Sequence, residues 1–205
     1  MERIDVAVIG AGVTGLASAR AIAERGRSVC VLERHPRAGL DTSTHNSGVI
    51  HAGIYYPTGS LKARLCVEGR HLLYDFCARH HVPHARCGKL IVASEDAEVA
   101  GLEALQRLGT ANGVDGLALV DPASIARREP AVRGVAALFS PETGIVNAEE
   151  LVKALLRAGD ASGVIFLPGT TLECEVTVEA VRHRVPATVV KTPFFNPPRK
   201  TAPIQ

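Results

Sequence analysis

The 205-residue chain contains no Trp, and aromatic residues make up only 4% of it. A recognition surface built on stacked aromatics is therefore not expected. No apolar run approaches the ~18 residues of a spanning helix, which excludes an integral membrane protein of that kind. Neither sign of charge dominates: 23 Lys and Arg stand against 21 Asp and Glu, a formal net charge of +2. That balance gives no electrostatic case for a nucleic-acid partner. The five cysteines (Cys30, Cys66, Cys77, Cys87 and Cys174) are odd in number and form no C-x-x-C pair. A disulfide framework and a zinc site both lose, and a reducing cytosol is the expected compartment. The first apolar run begins at Ile4, leaving no room for a charged n-region before it, and no small-residue cleavage site follows, so no secretory or transit peptide is expected. His80, His81 and His84 cluster in HHVPH, but no cysteine or carboxylate pair lies nearby at ligand spacing. They read as a polar helix end, and no metal is expected.

What the sequence does have is glycine, 19 residues, in a globular composition of 46% hydrophobic and 21% charged residues. Ile4 to Ile9 is a short β-branched run ending in Gly10, the pattern of a buried parallel strand. Gly10-Ala11-Gly12-Val13-Thr14-Gly15 then fits G-x-G-x-x-G, and a helix is expected from Leu16 to Arg25, with Gly26 ending it. Val29 to Leu32 reads as a second buried strand closed by Glu33. Each part has a physical task. Gly10 permits a tight turn, Gly12 lets backbone approach a pyrophosphate, and Gly15 lets helix and strand pack closely. The helix start offers N–H groups and a positive dipole end to phosphates. Glu33 can accept ribose hydroxyls and would repel a 2′-phosphate, which disfavours NADP. Strand, helix and acid together give the fingerprint the context it requires; the choice between FAD and NAD stays open on these residues alone.

After Glu33 the chain turns polar and glycine-punctuated through Tyr56, the character of a loop that wraps a ligand. Leu61 to Arg79 returns to helical spacing, with Leu61, Leu65, Leu72, Leu73 and Phe76 on or near one face. The run STHNSGVIHAGIYYPTGSLKARLCVEGRHLLYDFC resembles the N-terminal region of FAD-dependent L-2-hydroxyglutarate dehydrogenases and oxidases, within the wider D-amino-acid oxidase group. The likeness continues through GKLIVA, LVDPASIARREPAV and SPETGIVNAEELVKAL, and is expected to stop near Thr171.

The resemblance implies FAD and the oxidation of a small 2-hydroxy dicarboxylate to the 2-oxo acid, with oxygen or a membrane quinone as electron acceptor. It places the protein in the cytoplasm or peripheral to the inner face of the membrane. Besides Gly10, Gly12, Gly15 and Glu33, it assigns cofactor contacts to Val13, Thr14, Arg34, Thr42, Ser43, Thr44, Asn46, Ser47, Gly48 and Val49. Hydride loss from C2 also needs a base for the hydroxyl proton, and histidine titrates in a suitable range; His51 and His45 are the candidates. Tyr55, Lys62 and Arg64 are the candidates for holding the dianion. A flavin amine or amino-acid oxidase, a flavin-binding remnant without turnover, and an NAD-linked Rossmann protein are the alternatives.

The expected architecture is α/β, a Rossmann-like FAD-binding domain with the beginning of an inserted α+β substrate domain, incomplete relative to the family. Residues 1–80 are read as the first part of the FAD domain, 81–146 as a partial substrate domain, and 147–172 as the return. Within them a strand is expected at Lys89 to Ala93, helices at Glu98 to Leu108 and from Asp121-Pro122, and a strand at Val135 to Phe139. Asn147 with Glu150 three positions on predicts a capped helix, followed by a buried strand at Val164 to Leu167. Residues 173–205 hold five prolines and read as a divergent tail that forms neither a central strand nor a helix, as in a truncated or frameshifted gene.

Overall fold

The computed structural model describes residues 4–178 and 181–187. The chain divides into two compact units, Met1–Asn46 with Leu151–Gln205, and Ser47–Glu150. The first opens with β1 (Val6–Ile9), α1 (Val13–Ala23) and β2 (Val29–Glu33). The second holds β3 (Val49–Ile50), α2 (Leu61–Arg79), β4 (His84–Ala85), β5 (Lys89–Ala93), α3 (Val99–Ala111), β6 (Ala118–Val120), α4 (Pro122–Arg128), β7 (Ala136–Ser140) and β8 (Gly144–Val146). Helix α5 (Ala148–Ala161) then leads to β9 (Ile165–Pro168), β10 (Leu172–Val178) and β11 (Val181–Ala187). The division falls at 46 and 150, where the sequence suggested 80 and 146. The reason is α2, whose buried side chains bond to residues of Ser47–Glu150: Arg70 to the Ala52 carbonyl and Tyr74 to the Glu142 carbonyl.

In the first unit, β1, β2 and β9 form a parallel sheet in the order β1-β2-β9. Leu16 and Ala19 of α1 are buried, and every residue of β2 is buried, as expected of a central parallel strand. The flanking strands differ from the expectation of full burial. Ile9 is 52% exposed, and Ile165 and Leu167 are also exposed. Register explains this: Ala7, Cys30 and Ile165 form one row across the sheet, and Ile9, Leu32 and Leu167 the next. Both rows lie on one face, and only their central members are covered.

The stretch from residue 172 forms a hairpin, which contains neither a central strand nor a helix. β10 and β11 pair antiparallel over seven residues, with Pro186 opposite Glu173. Leu172–Val178 alternates apolar and polar residues, and a proline one position from the end of an edge strand removes little of such a ladder. Pro193, Pro197, Pro198 and Pro203 lie outside the described residues.

The second unit contains two three-stranded sheets, β5-β7-β6 and β3-β8-β4, antiparallel throughout. Leu102 of α3 packs with Ala93 and Leu138 of the first of these sheets. The capping signals act as expected. Asp121 Oδ1 accepts the Ser124 N–H at 2.7 Å, and Asn147 Oδ1 accepts the Glu150 N–H at 3.0 Å. His80 caps the end of α2, and His81 follows in a left-handed conformation with φ 55°.

Helix α2 has the expected bounds but buries the opposite face. Leu61, Leu65 and Leu72 are exposed, while Ala63, Arg70, Tyr74 and Cys77 are buried. A guanidinium occupies this interior because the neighbouring loop supplies acceptors. Arg70 donates from Nη1 to the Ala52 carbonyl at 3.1 Å, and its Nε stands 3.5 Å from Glu142 Oε2. Glu142 is also faced by Arg86 at 3.5 Å. Four helix residues earlier, Cys66 points its thiol at the His51 carbonyl, 3.4 Å away. From the C-cap of α3, Asn112 Nδ2 donates to the carbonyls of Gly53 and Tyr56 at 3.0 and 2.8 Å. Three side chains thus hold four carbonyls of the loop from His51 to Tyr56.

Arg70→Met is expected to destabilise the protein by about 3 kcal/mol, the lower end for unpairing a buried ion because Arg86 still faces Glu142. In thermal denaturation that is a fall of roughly 6–12 °C. Arg64→Met removes only an exposed 3.9 Å pairing with Glu68 and should change stability by less than about 0.5 kcal/mol. Equal effects of the two substitutions would contradict the buried clamp.

Candidate functional site: a dinucleotide turn and a clamped loop

The glycine turn follows β1 directly. Gly10 has φ 98°, a conformation that glycine adopts without strain, and its N–H bonds the Leu32 carbonyl at 2.8 Å. A Cβ on Gly15 would collide with the Gly10 carbonyl oxygen, so the helix can sit this close to the turn only with glycine there. Glu33, 5% exposed, closes the arrangement from β2. Its Oε2 accepts the Ala11 N–H at 2.8 Å and its Oε1 the His35 N–H at 2.9 Å. An ionised carboxylate offers about four acceptor positions. Two backbone donors leave capacity for two hydroxyls, which is what a ribose edge presents.

The start of α1 is suited to an anion. No acidic residue lies in its first turn, and its N-cap, Gly12, contributes no side-chain bond. The positive end of the helix is left without a negative side chain of its own. The Val13 N–H is held by Ser43 Oγ at 3.0 Å, and a Cβ on Gly12 would come within 2.9 Å of the same oxygen. The turn is thus a cradle that one methyl group would fill, and its donor set fits a dinucleotide. Thr14 is exposed beside it.

The segment bearing Ser43 is bound to itself. Thr44 Oγ1 donates to the Gly39 carbonyl at 2.6 Å, and Asn46 Nδ2 donates to the carbonyls of Thr42 and Ser43 at 2.9 and 3.0 Å. Arg34 Nη2 bonds Asp41 Oδ2 at 2.9 Å, with His35 Nε2 3.4 Å from the same oxygen. Burial alone would raise the Asp41 carboxyl, but Arg34 and His35 outweigh it and hold it below its ordinary value. Arg34 is therefore engaged by a carboxylate rather than presented alone. Exposed His45 lies with Nδ1 2.8 Å from the Asp41 carbonyl. A carbonyl can only accept, so Nδ1 carries the proton and Nε2 keeps its lone pair when the ring is neutral.

The second unit carries the remaining candidates. Ser47 is exposed, Gly48 has φ 66°, and Val49 pairs with Ile145 in the β3–β8 ladder. His51 and Tyr55 are exposed on the clamped loop and line a small recess with Tyr56, Lys89 and Thr143. Lys62 stacks its ammonium over the Tyr56 ring, 4.5 Å from the centroid. Arg64 does not line this recess: it points to solvent and faces Glu68. The structure thus groups Gly10, Gly12, Val13, Gly15, Glu33 and Ser43 in one unit, and His51 with Tyr55 in the other. Sequence reasoning missed Lys89, Arg70, Cys66 and Asn112. Lys89 carried no signal beyond opening a strand.

Residues 5–192 match the family model described as FAD dependent oxidoreductase, DAO. Likeness therefore extends some twenty residues past the limit expected near Thr171. Among curated proteins, the chain is 48% identical over 155 residues to the mitochondrial L-2-hydroxyglutarate dehydrogenase of Arabidopsis thaliana, covering 76% of this chain and 32% of that one. The enzyme of the same name from Pongo abelii is 40% identical over 184 residues, covering 88% and 44%. The chain thus spans 32–44% of the length of these relatives. Among solved structures, the L-alpha-glycerophosphate oxidase of Mycoplasma pneumoniae with FAD bound superposes with a TM-score of 0.79 at 27% identity, covering 86% of this chain and 47% of that one. Because the family match runs through the parallel sheet and the whole unit inserted in it, the chain belongs to the FAD-dependent oxidoreductase family.

Proposed function

We propose that this chain forms the FAD-binding and substrate-facing part of an enzyme that oxidises L-2-hydroxyglutarate to 2-oxoglutarate. The observation that carries the reading is the 48% identity to an L-2-hydroxyglutarate dehydrogenase. FAD, when bound, supplies the acceptor for the hydride that leaves C2. The chain's own residues do the rest. Glu33 accepts the ribose hydroxyls, and the start of α1 faces the pyrophosphate with Ser43 holding its first N–H. His51 removes the hydroxyl proton, with His45, already in a tautomer that leaves Nε2 free to accept, as the other candidate. Oxygen or a membrane quinone takes the electrons onward, in the cytoplasm or at the inner face of the membrane. No helix among the described residues is long and apolar enough to cross a membrane.

A second reading, FAD capture without turnover, is favoured by the uncovered apolar rows of the parallel sheet. Anaerobic addition of L-2-hydroxyglutarate separates the two. Bleaching of the bound flavin supports the enzyme, and an unchanged spectrum supports capture alone.

Glu33→Gln leaves one backbone N–H facing an amide NH2 and removes the charged acceptor. FAD affinity, read from flavin fluorescence, should fall by about 1.5–3 kcal/mol, roughly 10- to 150-fold, and the cofactor-free melting temperature should fall as well. Unchanged FAD affinity in both Glu33→Gln and Glu33→Arg would remove the ribose role.

For the base, His51→Asn should lower kcat by ~10²–10⁴ with flavin content intact. His45→Asn should alter flavin content or spectrum more than turnover. Exchanged phenotypes would move the role to His45, and two silent substitutions would place the base outside this chain.

A further inference from the structure

The recess on the clamped loop pairs Tyr55, a candidate for holding the dianion, with a lysine to which nothing above gives a role. Lys89, the first residue of β5, donates from Nζ to Tyr55 Oη at 2.6 Å, and the same nitrogen lies 4.7 Å from the centre of the Tyr55 ring. Among the described residues Lys89 has no carboxylate partner. An ammonium in a recess beside an aromatic ring, with no counter-ion, is a cation kept available.

The hydrogen bond also fixes what the pair can offer. It uses one of three ammonium protons and one phenol lone pair. Two charged N–H groups, one O–H and one phenol lone pair are left, so donors outnumber acceptors three to one. Of the other polar side chains that line the recess, Thr143 is buried and tied to Ser140 Oγ at 3.0 Å, Tyr56 lies under the Lys62 ammonium, and His51 is the candidate base. The complement of such a donor set is a carboxylate, whose two oxygens accept from a charged and a neutral donor at once.

We propose that Lys89 and Tyr55 form a carboxylate-binding pair that receives one carboxylate of the dicarboxylate substrate. The proposal rests on the reading of this chain as acting on L-2-hydroxyglutarate, and it adds the residues that select for the anion. Lys89 is the charged member, and Tyr55 orients it and donates its own proton. The rigid position of Tyr55 follows from the clamp, since Gly53 and Tyr56 on either side are both bonded to Asn112.

The test is a titration of the protein with glutarate and, as its uncharged counterpart, glutaramide. Binding is read by tyrosine fluorescence, which no Trp obscures, and by NMR of the ¹⁵N-labelled lysine Nζ groups. Glutarate should perturb both signals, and glutaramide neither. Lys89→Met keeps the aliphatic stem and should raise the glutarate dissociation constant about 10- to 100-fold at an unchanged melting temperature. Lys89→Arg should restore most of the affinity, and Tyr55→Phe should lose a few-fold. If glutarate and glutaramide bind alike, or if Lys89→Met binds glutarate as the parent does, the pair has no such role. The same variants are assayed for oxidation of L-2-hydroxyglutarate. Glutarate binding that depends on Lys89 without any oxidation would retain the pair and reject the substrate reading. Oxidation with a KM unmoved by Lys89→Met would retain the substrate reading and reject the pair.

Discussion

Glu33 sits at the end of the central strand of the parallel sheet, and its two carboxylate oxygens accept the N–H groups of Ala11 and His35. The bond to Ala11 reaches across to the glycine turn, 22 residues earlier in the chain. It fixes where the turn lies relative to β2, and thereby where α1 begins. Ser43 then bonds the first N–H of that helix, and Gly39 bonds the Ala11 carbonyl. The turn, the start of the helix and the loop from Gly39 to Asn46 are therefore all referred to one buried charge. A charge so placed is stable only while its hydrogen bonds are complete, which makes the cofactor cradle and the local fold the same set of contacts.

The second unit solves the opposite problem. The loop from His51 to Tyr56 is buried at Ala52, Gly53 and Ile54, and backbone carbonyls in such a setting need donors. α2 and α3 supply them through Cys66, Arg70 and Asn112. This explains why α2 turns a guanidinium inward and leucines outward. Burying Leu65 or Leu72 would gain apolar contact, yet it would leave the Ala52 carbonyl without its donor and the Glu142 carboxylate with Arg86 alone.

That choice marks the limit of what could be read from the sequence. The β1–α1–β2 unit was legible because glycine spacing, strand runs and the acid at position 33 are local signals. The bounds of α2 and the caps at Asp121 and Asn147 were legible for the same reason. The buried face of α2 was not, since the leucine stripe outweighs a single Arg unless the carbonyls of a distant loop are known. The exposed edges of the parallel sheet depend on which strands pair, a property of topology rather than of composition. Prolines argued against a central strand beyond Leu172, and the two strands that form there, Leu172–Val178 and Val181–Ala187, pair with each other in a two-stranded sheet. At the site, the cradle residues were legible by motif. Lys89 was not, because its partner Tyr55 is 34 residues away.

Asn112 is followed by Gly113, which has φ 84°. An asparagine before glycine is the sequence most open to spontaneous loss of its side-chain amide, because the following residue offers little steric hindrance to ring closure. Here that amide carries both bonds that hold Gly53 and Tyr56. Conversion to aspartate would turn a shared donor into a charged acceptor facing two carbonyl oxygens, with repulsion where there was attraction. The loop that presents His51 and Tyr55 thus depends on a covalent group with a finite chemical lifetime, and ageing at one position would release it without any change in the rest of the sequence.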